Sequence, residues 1–450
     1  MTFWGNSMRA YDEYKDSGYD WLEKIPAHWK CLYLFQICHE QYKKNNSKEK
    51  LPVLSLSYGK IIIKRNINFG LTPNDYSTYQ VVTKGNIILR LTDLQNDQKS
   101  LRTGLVKSHG IITSAYTCIS TYCNPDFIHY ILHAYDCHKI FYGFGGGVRQ
   151  SIGYAQIKNI KLPVPPSEEQ DAIVRFLDAK CAKIDRLIKL KERQIALLNE
   201  KKQLIINQAI TRGLDPNVPM KGSGVDWIGE IPEGWEVSKL KYIGVIQTGV
   251  TLGKDYPKEA TSEYPYLCVA NVQDGYIDLK KIKFINLPPK EAQRYFLQKG
   301  DILMTEGGDP DKLGRGSVWN NEIAHCLHQN HIFAVRMDQK KVLISFFRFV
   351  LQAQYCKEYF LLSAKQTTNL ASTNKTTLSN LYVAMPSLDE QEKIVEQLDK
   401  VVVIYKTKIK IIEKEILTLR EYKTKIISDC VTGKLNCIAG NDTNLGENHV

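Results

Sequence analysis

The chain has 450 residues and a mass of 51.5 kDa, room for two to four domains at roughly 100–200 residues each. A hydrophobic content of 43% with 24% charged residues excludes a disordered or collagen-like chain. Sixty Lys plus Arg against 48 Asp plus Glu leave +12, which favours polyanionic partners such as nucleic acid or acidic lipid. The longest apolar run, Val342 to Leu351, falls short of the ~18–20 residues of a membrane span and carries Arg348. The opening Met1-Thr2-Phe3-Trp4-Gly5-Asn6 lacks the basic and apolar regions of a signal peptide. Eleven Cys occur without a single C-x-x-C pair, so the expectation is a soluble cytoplasmic protein with reduced, mostly buried thiols.

In chain order, the first recognisable segment is Asp20-Trp21-x-x-x-Ile25-Pro26-x-x-Trp29. Beyond it, Val81 to Thr83, Asn86 to Leu91 and Ile111 to Ile119 are β-branched, apolar and bounded by Gly, Asn or Pro, and predict strands. Asp126 to Ile140 predicts a helix. Leu162-Pro163-x-Pro165-Pro166 then stops any helix running in from upstream, and Ser167, with Glu168 and Glu169 behind it, reads as an N-cap. No Pro or Gly interrupts from there to Thr211, a helix roughly 65 Å long. Its heptad seam combines Cys181, Ile188, Ile195 and Ala209 with Leu177, Ile184, Leu198 and Ile205, broken at Lys191 and Lys202.

The pattern then starts again. Ser17 to Trp29 returns without a gap as Ser223 to Trp235, Lys84-Gly85-Asn86-Ile87 as Lys299-Gly300-Asp301-Ile302, and Phe127 to Cys137 as Phe346 to Cys356. Glu169-Gln170 returns as Glu390-Gln391, and a second uninterrupted helix follows. Its seam is Leu398, Val402, Tyr405, Ile409, Ile412, Ile416, Leu419, Ile426 and Cys430, broken at Lys423. The offset grows from 206 residues at Ser17 to 221 at Pro165, so insertions lie in loops between shared elements. Val342 to Leu361 predicts the helix of the second globular part. The expected architecture is α+β: two similar globular parts separated by a long antiparallel two-helix coiled coil with pseudo-two-fold internal symmetry. The boundaries are 1–166, 167–213, 214–387 and 388–435, with a polar tail at 436–450.

Parts of an enzyme are missing. There is no G-x-x-x-x-G-K-[ST] phosphate loop and no Asn-Pro-Pro-aromatic motif of the kind amino-methyltransferases use. Gly143 to Gly147 lacks the helix and acid a nucleotide cradle needs, and its repeat partner contains no glycine. His129, His133 and Cys137 share a helical face, yet their counterparts Arg348, Gln352 and Cys356 could not bind a metal. His325, His328 and His331 do not keep to one strand face. No catalytic or metal site is expected.

The opening and closing motifs, in this order around two long helices, resemble the DNA-specificity subunits of type I restriction–modification systems over essentially the whole chain. The resemblance implies two target-recognition domains that each read one half of a bipartite double-stranded DNA sequence, and helices that fix the spacer. It also implies docking of two modification (methyltransferase) subunits and, where the system cuts, two restriction subunits. The complex would use S-adenosylmethionine for adenine methylation, and ATP and Mg for restriction; this chain would bind no cofactor. Residues able to pair with bases or phosphates in the predicted loops are Tyr58, Lys60, Arg90, Gln95, Asn96, Arg149 and Gln150 in the first part. In the second they are Asn271, Gln273, Lys312, Arg315 and Gln366, with Tyr276 nearby. A separate stripe of Leu190, Leu197 and Leu204, joined by Ile411, is the expected docking face for partners. Two other readings fit the sequence: a coiled-coil scaffold that recognises proteins, and a nuclease built around Asp309-Pro310-Asp311-Lys312.

Overall fold

The repeated Trp and the repeated Glu-Gln, far apart in sequence, meet in space. In the computed structural model, which describes residues 10–19, 21–46, 51–64, 76–94, 101–144, 151–253, 256, 260–308, 314–366 and 371–438, the buried Trp29 indole donates to Glu169 Oε1 at 3.0 Å. Trp235 donates to Glu390 Oε2 at the same distance. The following glutamine does a second task. Gln170 Nε2 donates to the Pro165 carbonyl (2.9 Å), and its Oε1 accepts from the backbone of Asn124, just ahead of helix α1 (Pro125–Cys137). Gln391 repeats this with Pro386 O (3.0 Å) and Leu343 N (2.8 Å), just ahead of helix α3 (Ile344–Gln352). Each Glu-Gln thus lies on the first turn of a long helix, α2 (Ser167–Arg212) or α5 (Leu388–Val431), and fastens it to the start and middle of its own globular part.

The chain divides into two compact units: unit 1 is 1–191 with 413–450, and unit 2 is 192–412. Unit 1 contains a four-stranded antiparallel sheet. With β1 (Cys38–Glu40), β2 (Ile87–Leu89), β3 (Thr103–Leu105) and β4 (Thr117–Thr121), its order is β1-β4-β2-β3. In unit 2, β5 (Gly244–Thr248), β6 (Ile302–Thr305), β7 (Gly316–Val318) and β8 (Ile332–Met337) take the same order, β5-β8-β6-β7. Two domains of mixed helix and sheet are therefore present, each with one main apolar core. In unit 1, Trp29, Phe127 and Tyr135 pack with Ile173 and Leu177 of α2 and with Ile426, Cys430 and Val431 of α5. In unit 2, Trp235, Phe346 and Phe349 pack with Ile206 and Ile210 of α2 and with Ile394 and Leu398 of α5.

Within unit 1 the two long helices run antiparallel. Lys191 Nζ meets Glu415 Oε2 at 2.6 Å and Lys423 Nζ meets Asp185 Oδ1 at 2.6 Å, so the later residue of one helix faces the earlier residue of the other. Two of the polar breaks in the heptads are thus ion pairs. Of the seam residues, Ile184, Ile188, Ile412, Ile416 and Ile426 are buried, and Ile195, Leu198, Ile205, Ile409 and Leu419 are half-buried. Both helices end on a glycine in the left-handed region, Gly213 and Gly433, each at φ 75°.

Several expectations need correction. The run Ile111 to Ile119 is two strands, Gly110–Ile112 and Thr117–Thr121, with a turn between them. The helix expected over Val342 to Leu361 breaks at Ala353, whose extended backbone (ψ 146°) starts a second helix, α4 (Gln354–Ser363). Ser167 is not an N-cap: the backbones of Glu169 and Gln170 donate to Pro166 O, and the side-chain cap occurs in the second copy, where Ser387 Oγ accepts from Glu390 N (3.3 Å). The segment 436–450, expected as a polar tail, contains Cys437, which is 4% exposed and belongs to the core of unit 1. All eleven cysteines are free thiols, and burial pushes Cys38, Cys118, Cys326 and Cys356 up to about 12.

Candidate nucleic-acid interface

In unit 1 the candidate residues gather around a hairpin. Leu54–Ser57 pairs with Lys60–Ile63, and the two-residue turn Tyr58-Gly59 has φ of 46° and 73°, as a tight hairpin with the native strand twist requires. That geometry leaves the Tyr58 ring 86% exposed, with Lys60 exposed beside it. The hairpin lies on β3 because position 104 is glycine: a β-carbon there would sit 2.6 Å from Leu56 Cδ1 and 2.9 Å from Ile61 Cδ1. At the same end of β3, Leu101 packs against Gly59, and the Arg102 carbonyl accepts from Arg90 N at 2.8 Å. Tyr58, Lys60 and Arg90 are brought to one end of the sheet. Gln95, Asn96, Arg149 and Gln150 lie outside the described residues.

In unit 2 three candidates line one open cavity of about 1070 Å³, between the 273–276 turn, β7 and α3. Gln273, Tyr276 and Arg315 contribute to its wall, and the turn is tied to β7 by a hydrogen bond from Gly275 N to Gly316 O (3.0 Å). Lys299, Arg348 and Lys357 line it too, against one acid, Asp274. Arg348 is engaged by Asp399, whereas Lys299, Arg315 and Lys357 make no ion pair among the described residues. A concave surface with this balance concentrates positive potential and suits a phosphodiester backbone. Lys299 and Lys357 were not singled out in the sequence, since Lys299 sits in a repeated framework turn and Lys357 on a helix.

Asn271 does not join the cavity. It is 6% exposed; its Oδ1 accepts from Cys268 N (2.7 Å) and its Nδ2 donates to Asp278 O (2.7 Å) and Lys281 O (2.9 Å). Its amide is spent on folding its own loop. Gln366 ends the short strand Lys365–Gln366, while Lys312 and the Asp309 to Lys312 cluster lie outside the described residues.

Among the described residues no group of three or more His, Cys, Asp or Glu could hold a metal ion, and no helix is long and apolar enough to cross a membrane. On α1, burial lowers His129 to about 3 and His133 to about 4, and His133 Nε2 lies 3.7 Å from Cys137 Sγ.

The chain is similar to proteins of known role. The type I restriction enzyme MjaVIII specificity subunit of Methanocaldococcus jannaschii is 29% identical over 286 residues, 62% of this chain and 63% of that one. The type I restriction enzyme EcoKI specificity subunit of Escherichia coli is 21% identical over 291 residues, 62% of this chain and 61% of that one. The matched stretch is thus under two thirds of either relative. A solved structure concerned with complex assembly and conformational transition of the type I R-M system contains a chain of similar fold. Its TM-score is 0.66 at 16% identity, covering 91% of this chain and 99% of that one. The family model for the type I restriction modification DNA specificity domain matches twice, at 34–200 and 232–417. With both copies matched over most of its length, the chain belongs to that family of type I restriction–modification DNA specificity proteins.

Proposed function

We propose that this chain is the non-catalytic, sequence-specific DNA-binding subunit of a type I modification and restriction complex. Unit 1 reads one half of a bipartite target through the Tyr58 hairpin and the loop bearing Arg90, and unit 2 reads the other through the cavity walled by Gln273, Tyr276 and Arg315. One observation carries the reading: the units share a sheet order and a Trp–Glu–Gln fastening, yet differ in what they expose at the same sheet end. A shared frame with unlike reading surfaces suits two half-sites of unlike sequence. Helices α2 and α5 form an antiparallel coiled coil with pseudo-two-fold symmetry that sets the spacer, as dimer geometry does for other DNA readers. The antiparallel ion pairs of unit 1 and the burial of the seam support this.

Two modification subunits dock on the exposed faces of these helices, where Leu190, Leu197, Leu204 and Ile411 are between 49% and 60% exposed. Those partners, and restriction subunits where present, supply the chemistry with S-adenosylmethionine, ATP and Mg, in the cytoplasm. Exchange of residues 1–165 for the first domain of another family member tests the reading through the mapped methylated adenines. One half of the target should change while the other half and the spacer persist; if both halves change, the two-reader arrangement is wrong.

A further inference from the structure

Strand register places Arg102 and Arg315 at the same point in the two units. Leu89 pairs with Thr103 as Met304 pairs with Gly316, and the residue before each partner is the arginine. Its carbonyl accepts the equivalent backbone bond, from Arg90 N (2.8 Å) in unit 1 and from Thr305 N (3.3 Å) in unit 2. The side chains then part. Arg102 is 0% exposed: Nε donates to the Tyr142 hydroxyl (2.9 Å), Nη1 to Arg90 O (3.2 Å) and Thr92 O (2.6 Å), and Nη2 to Asp93 O (3.1 Å). One planar fork gathers three successive-turn carbonyls, including that of Asp93, a non-glycine residue held at φ 57°. Arg315 is half-buried, makes no hydrogen bond through its side chain among the described residues, and lines the cavity of unit 2.

The sequence explains the divergence. Arg102 N donates to Asp136 Oδ2 at 2.6 Å, a buried carboxylate on α1. The matching position in unit 2 is Tyr355, which offers no charge. The Asp136 carboxylate fixes the Arg102 backbone, while the guanidinium is met inside by three carbonyls and the Tyr142 hydroxyl; where such acceptors are missing, a guanidinium stays with solvent or an anionic ligand.

We infer that this one strand-end position has opposite tasks in the two half-site readers: Arg315 contacts DNA directly and sets base preference in unit 2, whereas Arg102 is a positioning residue that holds the Arg90 loop in its reading conformation in unit 1. The inference rests on the two-reader reading above, and the two can fail separately.

The test compares methylated-adenine maps from host cells making the full chain as wild type, Arg102→Gln, Arg102→Lys or Arg315→Gln. Copurification of the modification subunits and the melting temperature of each chain are measured alongside. Arg315→Gln should lower base discrimination about tenfold at one half-site only. Arg102→Gln should make the other half-site degenerate, with Arg102→Lys intermediate because a point charge cannot hold three carbonyls. Spacer length and subunit assembly should persist. If Arg102→Gln fails to accumulate, Tyr142→Phe, which removes one contact of the fork, decides: the half-site that Arg315→Gln spares should lose sharpness. Sharp half-sites in every accumulating Arg102 or Tyr142 variant, or degeneracy of the same half-site in Arg102→Gln and Arg315→Gln, overturns the inference. A wild-type map without a two-part target overturns the two-reader reading instead.

Discussion

At the head of the central strand in each sheet stands a buried polar residue, Asn86 in unit 1 and Asp301 in unit 2. Both fold the turn before them: Asn86 Oδ1 accepts from Thr83 N and Asp301 Oδ2 from Gln298 N, each at 2.8 Å. Across to the neighbouring strand they differ. Asn86 Nδ2 donates to Ser120 Oγ (2.8 Å) and Gln41 Oε1 (3.1 Å), a neutral network. Asp301 instead receives Arg336 through two parallel bonds of 2.8 Å, and this bonding raises the guanidinium above its usual value. The same holds on the helices, where Asp178 accepts from the Tyr130 hydroxyl and the equivalent Asp399 engages Arg348. Polar groups that fold the local backbone stay, while their partners on adjacent elements change together. Such paired replacement lets two copies keep one frame while their exposed ends diverge.

The two helix-ending glycines offer the sharpest way to break this parallel. A β-carbon at Gly433 would sit 2.2 Å from Pro26 Cδ, in a rigid ring, whereas at Gly213 it would sit 3.2 Å from Glu390 Oε1. Gly433→Ala should cost about 3–5 kcal/mol, left-handed strain plus overpacking, and Gly213→Ala about 1–2 kcal/mol, strain alone. Denaturant unfolding of both variants measures this, and equal costs would mean that the two closures are not set by those contacts.

Acid separates the units next. His129 and His133 of unit 1 stand where unit 2 has Arg348 and Gln352. Burial lowers the two histidines to about 3 and about 4, so they are neutral in the folded unit, while the unfolded chain protonates them near the ordinary 6.5. Their contribution is complete above that value and is lost as pH falls toward 4. At pH 5 the loss is on the order of 2 kcal/mol per histidine. Among the described residues of unit 2 one such group occurs, His328, lowered to about 4 by burial. Urea midpoints at pH 7 and pH 5 should therefore fall less for His129→Gln/His133→Gln than for the wild type. An unchanged pH dependence would remove the two histidines from the account.

The smallest expected effect concerns the helices. Lys191→Glu should cost about 0.5 kcal/mol, since both partners of the Lys191–Glu415 pair are partly exposed, and Glu415→Lys in the same chain should restore it. A double mutant no better than the single would show that the pair adds nothing to register.

Much of the frame was legible because it is written twice. The long helices were plain from the absence of Pro and Gly between Pro166 and Gly213 and between Pro386 and Gly433, and the repeated motifs showed one frame used twice; the strand order, set by long-range pairing, was not legible. The break at Ala353 was not, because alanine favours helix and only tertiary packing ends the segment there. At the site, Gln273, Tyr276 and Arg315 could be chosen as polar residues in loops, yet the same rule chose Asn271, whose amide faces inward to three backbone groups. Arg102 escaped notice for the opposite reason: it sits among apolar strand residues and looks like framework. Only alignment of the strands by register sets it beside Arg315.

Unit 1 is assembled from the two ends of the chain, and unit 2 is inserted between them. On the ribosome, Trp29, Phe127 and Leu177 emerge long before Ile426, Cys430 and Cys437, which complete their core. At about 5–20 residues per second the intervening stretch takes roughly 10–45 seconds to synthesise. Unit 2 has all its residues first, and the nascent amino-terminal half waits with an apolar face uncovered until the last helix arrives. Slower translation of residues 192–412 should therefore lower the yield of folded chain.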